Sequence, residues 1–202
     1  MKRLIPLVTG EIYHVYNKSI YSYVIFNTPD EYKRMIMLIQ FYLWDMAKSF
    51  SAFHSSLHRY PDFKSGLHDV RKPGCPQRVI ILAYCLMPTH IHFILEQKSE
   101  NGIEMFMKNI QSGYSQFFNR RHNRRGPLWQ GRFGYKHISS ESNLQNEINY
   151  VHNNPVKDLN CMNAEDWPWT SYHQYIGSQD HDNDFCLWEH RLPNDHTSGG
   201  FR

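Results

Sequence analysis

Hydrophobic and polar residues alternate with a period of two in several short segments, and this period predicts β-strands. Residues 11–19 and 78–87 are rich in β-branched and aromatic side chains, which are typical of strands. A third strand bears His90 and His92 and follows a tight turn at residues 88–89, so the second and third strands form a hairpin. A fourth strand is predicted later in the chain.

Apolar residues recur every three or four positions in three other segments, which predicts three amphipathic helices. The sequence Thr28-Pro29-Asp30-Glu31 is a capping box that begins the first helix, which is expected to run to about Lys48. The second helix begins near Asn101 and has the most regular period. The third is predicted over 141–154, because Pro155 disfavours helical geometry in the residue before it.

The order of elements up to Ile138 is β-α-β-β-α-β, where the fourth strand ends. This order is typical of the ferredoxin-like fold, an antiparallel sheet with helices on one face, and the third helix follows it. We predict one domain over residues 1–177. Residues 49–77 contain Ser, Gly and Pro without a sustained period and are predicted to be a loop insertion, and residues 178–202 a polar C-terminal tail.

The composition argues against several classes of protein. The 202 residues include 22 basic and 19 acidic side chains, a net charge of +3 that by itself points to no class of partner. Four scattered cysteines without a Cys-x-x-Cys pair argue against a zinc ribbon or a disulfide framework. The apolar residues 4–8 are too short for a signal peptide, and no stretch is long enough to cross a membrane. We therefore expect a cytoplasmic protein with no membrane partner.

The histidine pair on the third strand is the first candidate for chemistry. The two-residue period places His90 and His92 on one face of the strand, and Ile91 and Phe93 on the other. Two imidazoles on one face can share a divalent metal ion, since each ring offers one nitrogen. The alternative is a pair of half-buried histidines that bind no ligand. The histidine pair alone does not decide between these two interpretations.

A second candidate is the only concentrated basic segment, at the end of the second helix. Guanidinium groups bind phosphates, and aromatic rings stack on unpaired bases, so this mixture favours single-stranded nucleic acid. A solvated basic loop at a helix C-terminus is the competing interpretation. The candidate DNA-binding residues are Arg120, Arg121, Arg124, Arg125, Trp129 and Arg132.

The third helix has one apolar and one polar side. Leu144, Ile148 and Val151 fall within a narrow sector that would pack on the domain, whereas Tyr150 and Asn154 lie roughly opposite. Because these two residues are four positions apart, they share a face that could look into a site or into solvent. His152 lies on another side of the helix and is left out of the candidate site.

Several motifs in fixed order resemble the single-tyrosine HUH transposases, in particular the branch of REP-associated tyrosine transposases. The resemblance extends over about residues 11–177. Its motifs are Leu86-Met-Pro-Thr-His90-Ile-His92-Phe93, Gln111-Ser-Gly-Tyr114, Gly126-Pro-Leu-Trp-Gln-Gly-Arg132-Phe133, Tyr150-Val-His-Asn-Asn154-Pro-Val-Lys157 and Asp166-Trp-Pro-Trp-Thr-Ser-Tyr172.

The resemblance implies a role for each matched residue. His90 and His92 correspond to the metal-binding pair, Tyr150 to the nucleophile, and Asn154 to the position of a third polar ligand. The implied reaction is cleavage and rejoining of single-stranded or hairpin DNA through a 5′-phosphotyrosine, with Mg²⁺ or Mn²⁺ as the cofactor. Relatives include both homodimers and monomers, so the oligomeric state stays open.

The residue types fit this chemistry independently of the resemblance. A metal ion held by imidazoles and an amide oxygen can polarise a phosphate. A phenol of ordinary acidity is only about one part in a thousand ionised at pH 7, so a nearby cation would help it lose its proton. Two alternatives remain: a non-catalytic single-stranded nucleic-acid-binding protein on the same fold, and a metal-dependent phosphoesterase that uses water.

Overall fold

The strands form one antiparallel sheet in the computed structural model, which describes residues 6–158 and 160–177. The order across the sheet is β2-β3-β1-β4, and every neighbouring pair is antiparallel. The predicted mixed α/β architecture, built on a four-stranded antiparallel sheet, is confirmed. The predicted tail at residues 178–202 lies outside the described residues. The strands are β1 (Ile12–Lys18), β2 (Val79–Met87), β3 (His90–Gln97) and β4 (Gly134–Ile138).

Helices cover both faces of the sheet. Side chains of β3 alternate, so Ile91 and Phe93 join the larger apolar core with α1 and α4, while Ile94 joins a smaller core with α5. His90 and His92 are four and two positions before Ile94, so their side chains point to the same face of the sheet, where α5 lies. No helix in the described ranges is both long and apolar enough to cross a membrane. The helices are α1 (Pro29–Tyr42), α2 (Phe50–Ser55), α3 (Phe63–Val70), α4 (Gly102–Arg121), α5 (Glu141–His152), α6 (Asn154–Lys157) and α7 (Tyr172–Tyr175).

The predicted loop at residues 49–77 is wrong, because this segment contains α2 and α3. Ser49 and Asp62 cap the two helices through their side chains, and Phe53 is fully buried against Phe41 of α1. Helices of six and eight residues are too short to show a sustained period.

The first helix also ends at Tyr42, earlier than the predicted Lys48. Beyond its end, Trp44 makes an isolated β-bridge with Gln77. The guanidinium group of Arg78 also binds the Asp45 carboxylate at 2.7 Å. These contacts hold the chain in an extended path, and they join residues about thirty positions apart, which a local pattern does not reveal.

The segment that follows α6 covers the free edge of β2. The amide of Leu86 donates to the Trp169 carbonyl at 2.9 Å, and the amide of Ser171 donates to the Tyr84 carbonyl at 3.1 Å. The indole ring of Trp169 also stacks on Tyr32 of α1, with ring centroids 4.5 Å apart. An exposed strand edge would invite pairing with other chains, so this segment protects the sheet.

Glu31 holds the start of α1 against the end of α4. Its carboxylate is fully buried and accepts hydrogen bonds from the amides of Asn27 (2.6 Å) and Thr28 (3.1 Å) and from His122 Nε2 (2.5 Å). We expect Glu31→Ala to lower the free energy of unfolding by about 2–4 kcal/mol, since it removes a cap and leaves buried donors unpaired. Urea unfolding at pH 7 measures this. The exposed neighbour provides the control: Asp30→Asn should stay within about 0.5 kcal/mol.

The Glu31 carboxylate makes the free energy of unfolding depend on pH. Burial acts to raise the pKa of Glu31, but the hydrogen bonds from His122 and Asn27 outweigh it and lower the pKa below its ordinary value. The stability from the ionised form is therefore present above about pH 4.5 and is lost as the pH falls through the lower folded-state pKa. Glu31→Gln should flatten this part of the pH profile. An unchanged profile would contradict the role of the ionised carboxylate.

Candidate active site

The two histidines of β3 lie close together and are nearly inaccessible to solvent. His90 and His92 are 7% and 5% exposed, and their ring centroids are 5.0 Å apart. The Nδ1 atom of His90 is 2.9 Å from Thr89 Oγ1, and that of His92 is 2.9 Å from His14 Nε2. When both Nδ1 atoms are protonated and donate, the lone pair on each Nε2 is left for a ligand.

Burial is the main cause that lowers the pKa of both imidazoles. The nearby Asp158 carboxylate opposes this shift at His90, whereas His90 and His14 add to it at His92. Both rings are therefore neutral at pH 7. Neutral imidazole is the form that binds metal ions.

Helix α5 places Tyr150 beside this pair. The Ser140 hydroxyl accepts from the Asn143 amide at 3.3 Å and begins the helix, and its apolar side packs against β2 and β3 in the smaller core. Tyr150 on another side remains 41% exposed, with its ring centroid 5.9 Å from that of His92 and 5.7 Å from that of His14. A phenol is thus open to solvent next to buried imidazoles.

Asn154 lies at the start of α6 and is buried. Its Nδ2 donates to the Tyr150 carbonyl at 2.8 Å, so Oδ1 is the acceptor atom of the amide and has no hydrogen-bond partner among the described residues. No group of three or more His, Cys, Asp or Glu side chains that could hold a metal ion is found in the described ranges. An amide oxygen suits Mg²⁺ or Mn²⁺. The residues present therefore fit the implied metal ion.

Three residues around this site were not predicted from the sequence: His14, Glu147 and Lys136. His14 Nδ1 is 2.7 Å from a Glu147 oxygen, while Lys136 Nζ binds the other oxygen at 2.5 Å. Burial lowers the pKa of His14 more than the hydrogen bond to Glu147 raises it. A neutral His14 can donate to Glu147 and accept from His92, which gives a continuous chain from Glu147 through His14 to the metal-binding pair.

Lys18 and Lys157 place positive charge at the same site, and neither was predicted. Lys18 of β1 is paired across the sheet with His90. The Nζ atom of Lys157 lies 4.3 Å from the centroid of the Tyr150 ring. Cations in these positions are suited to a phosphate and to a phenolate.

A second phenol, that of Tyr16, and the carboxylate of Asp158 also lie near the histidine pair. Tyr16 of β1 is 38% exposed, and its ring centroid is 6.0 Å from that of His92. It lies against Gly134, where an added Cβ would come within 2.6 Å of the Tyr16 ring. Asp158 Oδ2 is 3.6 Å from His90 Nε2.

The first four predicted DNA-binding residues are arginines and fall into two groups. Arg121 lies within 3.6 Å of Glu31, and Arg124 donates to Asn119 Oδ1 at 3.0 Å and to the Pro127 carbonyl at 2.8 Å. These two arginines contribute to the fold. In contrast, Arg120 and Arg125 are exposed and make no ion pair within the part of the chain that the structure describes.

The remaining two predicted residues, Trp129 and Arg132, lie beside α4. Trp129 is only 7% exposed and donates from Nε1 to the Gln111 carbonyl at 3.1 Å, so its ring is no open surface platform. Arg132 is exposed. His152, which was left out of the site, is buried and lies 2.8 Å from Ser171 Oγ; burial lowers its pKa to about 3.

Comparison with known proteins agrees with the motifs. The family model described as "Transposase IS200 like" matches residues 67–154, a range that includes the histidine pair, Tyr150 and Asn154. A Haemophilus influenzae protein named as a REP-associated tyrosine transposase is 29% identical to this chain over 108 residues. The resemblance to tyrosine transposases is confirmed. The match covers 48% of this chain and 61% of that relative, so the chain spans about three fifths of the relative's length.

A solved structure shares the fold. The structure of a REP-associated tyrosine transposase bound to a REP hairpin superposes with a TM-score of 0.56 at 15% sequence identity. The superposition covers 93% of this chain and 91% of the other. The mixed α/β fold described above is therefore that of a known tyrosine transposase.

Proposed function

We propose that this protein is a metal-dependent nuclease and strand transferase that cleaves single-stranded DNA through a 5′-phosphotyrosine on Tyr150. One observation supports this most: the solvent-open phenol of Tyr150 lies beside His92, with 5.9 Å between ring centroids, on the face that presents both buried imidazoles. A protein that only binds nucleic acid has no need for this pairing of neutral imidazoles with an exposed phenol.

Nε2 of His90, Nε2 of His92 and Oδ1 of Asn154 would hold the metal ion. A bound Mn²⁺ or Mg²⁺ would draw charge from the phosphate oxygens and orient the scissile bond. Imidazole ligands favour Mn²⁺, while Mg²⁺ usually prefers oxygen. The hydrogen bonds at Nδ1 of each histidine fix the ring orientation, as partners of metal-binding histidines usually do.

The reaction proposed for Tyr150 is an in-line displacement at phosphorus. The phenol oxygen forms a bond to phosphorus, the bond from phosphorus to the 3′ oxygen breaks, and the 3′ oxygen leaves as a hydroxyl after taking up a proton. The ammonium group of Lys157, over the Tyr150 ring, would stabilise the phenolate that attacks. Because the phosphotyrosine conserves the phosphodiester bond energy, another 3′-hydroxyl can reverse the step and join strands without ATP.

The proposed substrate is single-stranded DNA next to a hairpin. Arg120, Arg125, Arg132 and Lys18 are exposed and make no ion pair among the residues that the structure describes, so they offer positive charge to a phosphate. The solved neighbour of the same fold is a complex with a hairpin. The proposed nucleophile and the proposed ligand His92 lie side by side within one chain.

The proposal is tested by a search for a covalent product. Purified protein is incubated with a 3′-labelled DNA hairpin that has single-stranded extensions, in Mn²⁺ or in EDTA, and is then denatured. We expect a labelled protein–DNA adduct that survives denaturation in Mn²⁺ and is absent in EDTA. Binding without cleavage would support the non-catalytic alternative, and cleavage without any adduct would support the water-using phosphoesterase.

The chain from Glu147 to His92 gives a prediction about metal affinity. His14→Leu removes the acceptor for His92 Nδ1 and so frees the imidazole to rotate. We expect the Kd for Mn²⁺ to rise by about 10- to 100-fold in isothermal titration without DNA. The control is His137→Leu, which removes an exposed histidine paired with Glu11 and should leave the Kd unchanged. An equal Kd for His14→Leu and wild type would show that His14 does not position His92.

A further inference from the structure

One motif of the transposase resemblance, residues 166–172, has no role in the catalytic proposal. It lies in the segment that covers the free edge of β2, and we call residues 166–175 the edge segment. Ser171 in this segment is fully buried, and its Oγ lies 2.8 Å from Nε2 of His152. His152 is also buried and comes two positions after Tyr150 on α5. A hydrogen bond therefore joins the edge segment to the helix of the proposed nucleophile.

The backbone of β2 holds Ser171 in place. Its Oγ accepts from the amide of Tyr84 at 2.9 Å, and its own amide donates to the Tyr84 carbonyl at 3.1 Å. The same carbonyl accepts from the hydroxyl of Thr170 at 3.0 Å. These two donors use both lone pairs of the carbonyl, which is 3.3 Å from Ser171 Oγ. The Ser171 hydroxyl is therefore better placed to donate to His152, at 2.8 Å.

The strand that holds Ser171 also pairs with β3, the strand of the two proposed histidine ligands. Cys85, the residue after Tyr84, lies opposite His92 in the antiparallel register. Paired residues in such a ladder have fixed separations. His152 is thus linked, through Ser171 and two neighbouring residues of β2, to the backbone position of His92.

Polar contacts orient α5, because its apolar side packs without a preferred direction. Burial of Leu144, Ile148 and Val151 in the smaller core is non-directional. A hydrogen bond, in contrast, requires a particular distance and angle. The bond from His152 lies in the last turn of α5, which also contains Tyr150, so it fixes how this turn is rotated against the sheet.

We propose that His152 is a positioning residue for the cleavage reaction, and that its bond to Ser171 sets the orientation of Tyr150 relative to the histidine pair of β3. This inference rests on the proposed function, since it takes Tyr150 to be the nucleophile. In-line attack requires the phenol oxygen to lie about 3–3.5 Å from phosphorus, and a displacement of about 1 Å can slow such a reaction on the order of 100-fold. The edge segment thereby acts on the reaction through α5.

The first test is His152→Leu, which keeps an apolar side chain in the site but cannot bind Ser171. Ser171 keeps its bonds to Tyr84, so the edge segment should stay attached. At saturating Mn²⁺ and hairpin DNA, we expect adduct formation to slow about 10- to 100-fold, while the Kd for DNA stays within about twofold. His152→Gln should restore the rate to within about threefold, because its terminal amide reaches the position of Nε2. If His152→Leu does not fold, His152→Asn, whose amide is too short to reach Ser171, should show the same loss.

Thr170→Val is the matched control. Thr170 is buried in the same segment and its hydroxyl binds the same Tyr84 carbonyl, but it makes no hydrogen bond to α5 among the described residues. This change should lower the melting temperature, yet leave adduct formation within about threefold of the wild type at a temperature where the variant is folded. An equal loss of rate in Thr170→Val would mean that attachment of the segment, and not the bond to His152, matters, and would overturn the inference.

Ser171→Ala removes the other partner of the bond. Alone it should slow adduct formation about as much as His152→Leu, and in the His152→Leu background it should add less than about twofold, since both changes break one bond. Losses that multiply in the double variant would show that the two residues act separately, and would contradict the proposed link.

Hydrogen–deuterium exchange gives a readout that needs no reaction. Without DNA, the amides of residues 149–153 should exchange on the order of tenfold faster in His152→Leu than in the wild type, and at the wild-type rate in His152→Gln. An unchanged rate of adduct formation in His152→Leu would overturn the inference and leave the proposed function standing. A wild type that forms no adduct would overturn the proposed function and, with it, the inference.

Discussion

Tyr150→Phe is expected to abolish the covalent protein–DNA adduct and to lower the rate of strand cleavage at least about 1,000-fold. The change removes only the phenol oxygen that would attack phosphorus. Since the ring remains, DNA and Mn²⁺ should bind with unchanged affinity. Quantification of the denaturation-resistant adduct over time measures the effect.

Tyr16→Phe is the matched control for this experiment. Tyr16 has similar exposure, 38%, and its ring lies 6.0 Å from His92, so it is the one other phenol that the structure brings near the pair among the described residues. We expect its adduct yield to remain within about threefold of the wild type. Loss of the adduct in Tyr16→Phe, with retention in Tyr150→Phe, would reassign the nucleophile to β1.

His92→Ala is expected to weaken the binding of Mn²⁺ strongly and, with it, to abolish cleavage. His92 is the better enclosed of the two imidazoles, and its Nδ1 is held by His14, so its removal deletes one proposed metal ligand and leaves His14 Nε2 without a partner. We expect the Kd for Mn²⁺ to rise at least about 100-fold and the adduct to fall below detection. Titration of the metal-free protein and the adduct assay measure the two effects separately.

Two properties should stay unchanged in the histidine experiment. His137→Ala removes an exposed histidine of β4 and should change neither quantity. Hairpin DNA should still bind to His92→Ala, because the proposed contacts with phosphates come from arginines and lysines. Full cleavage by His92→Ala in the presence of EDTA would exclude a metal-dependent reaction at this pair.

The sequence predicted the strands and the two long helices well, because each has a sustained period and recognisable ends. It also placed His90 and His92 on one face of β3. The predicted helix over 141–154 was too long, because α5 ends at His152 and Asn154 begins α6, so Tyr150 and Asn154 do not lie on one helix. What it did not provide is strand register. His14 and Lys18 were assigned to a strand, but only the pairing of Lys18 with His90 and Tyr16 with His92 brings that strand face to the site.

The sequence contained evidence that Glu147 lies near the candidate site, and the sequence analysis did not use it. Glu147 lies three positions before Tyr150 and seven before Asn154, so the helical period already places it on the same side. Its partner His14 is 133 positions away, and no local pattern indicates that contact. Similarly, the basic run at the end of α4 gave no means to tell the arginines that serve the fold, such as Arg124, from those that remain unpaired, such as Arg125.

The most direct measurement is the location of the covalent bond within the protein. The adduct formed by the wild type in Mn²⁺ is digested with nuclease and protease, and mass spectrometry locates the peptide that has gained a nucleotide. We predict a 5′-phosphonucleotide on Tyr150, together with a free 3′-hydroxyl on the released DNA. A nucleotide on Tyr16, or DNA cleaved in Mn²⁺ with no modified tyrosine, would contradict the proposed mechanism.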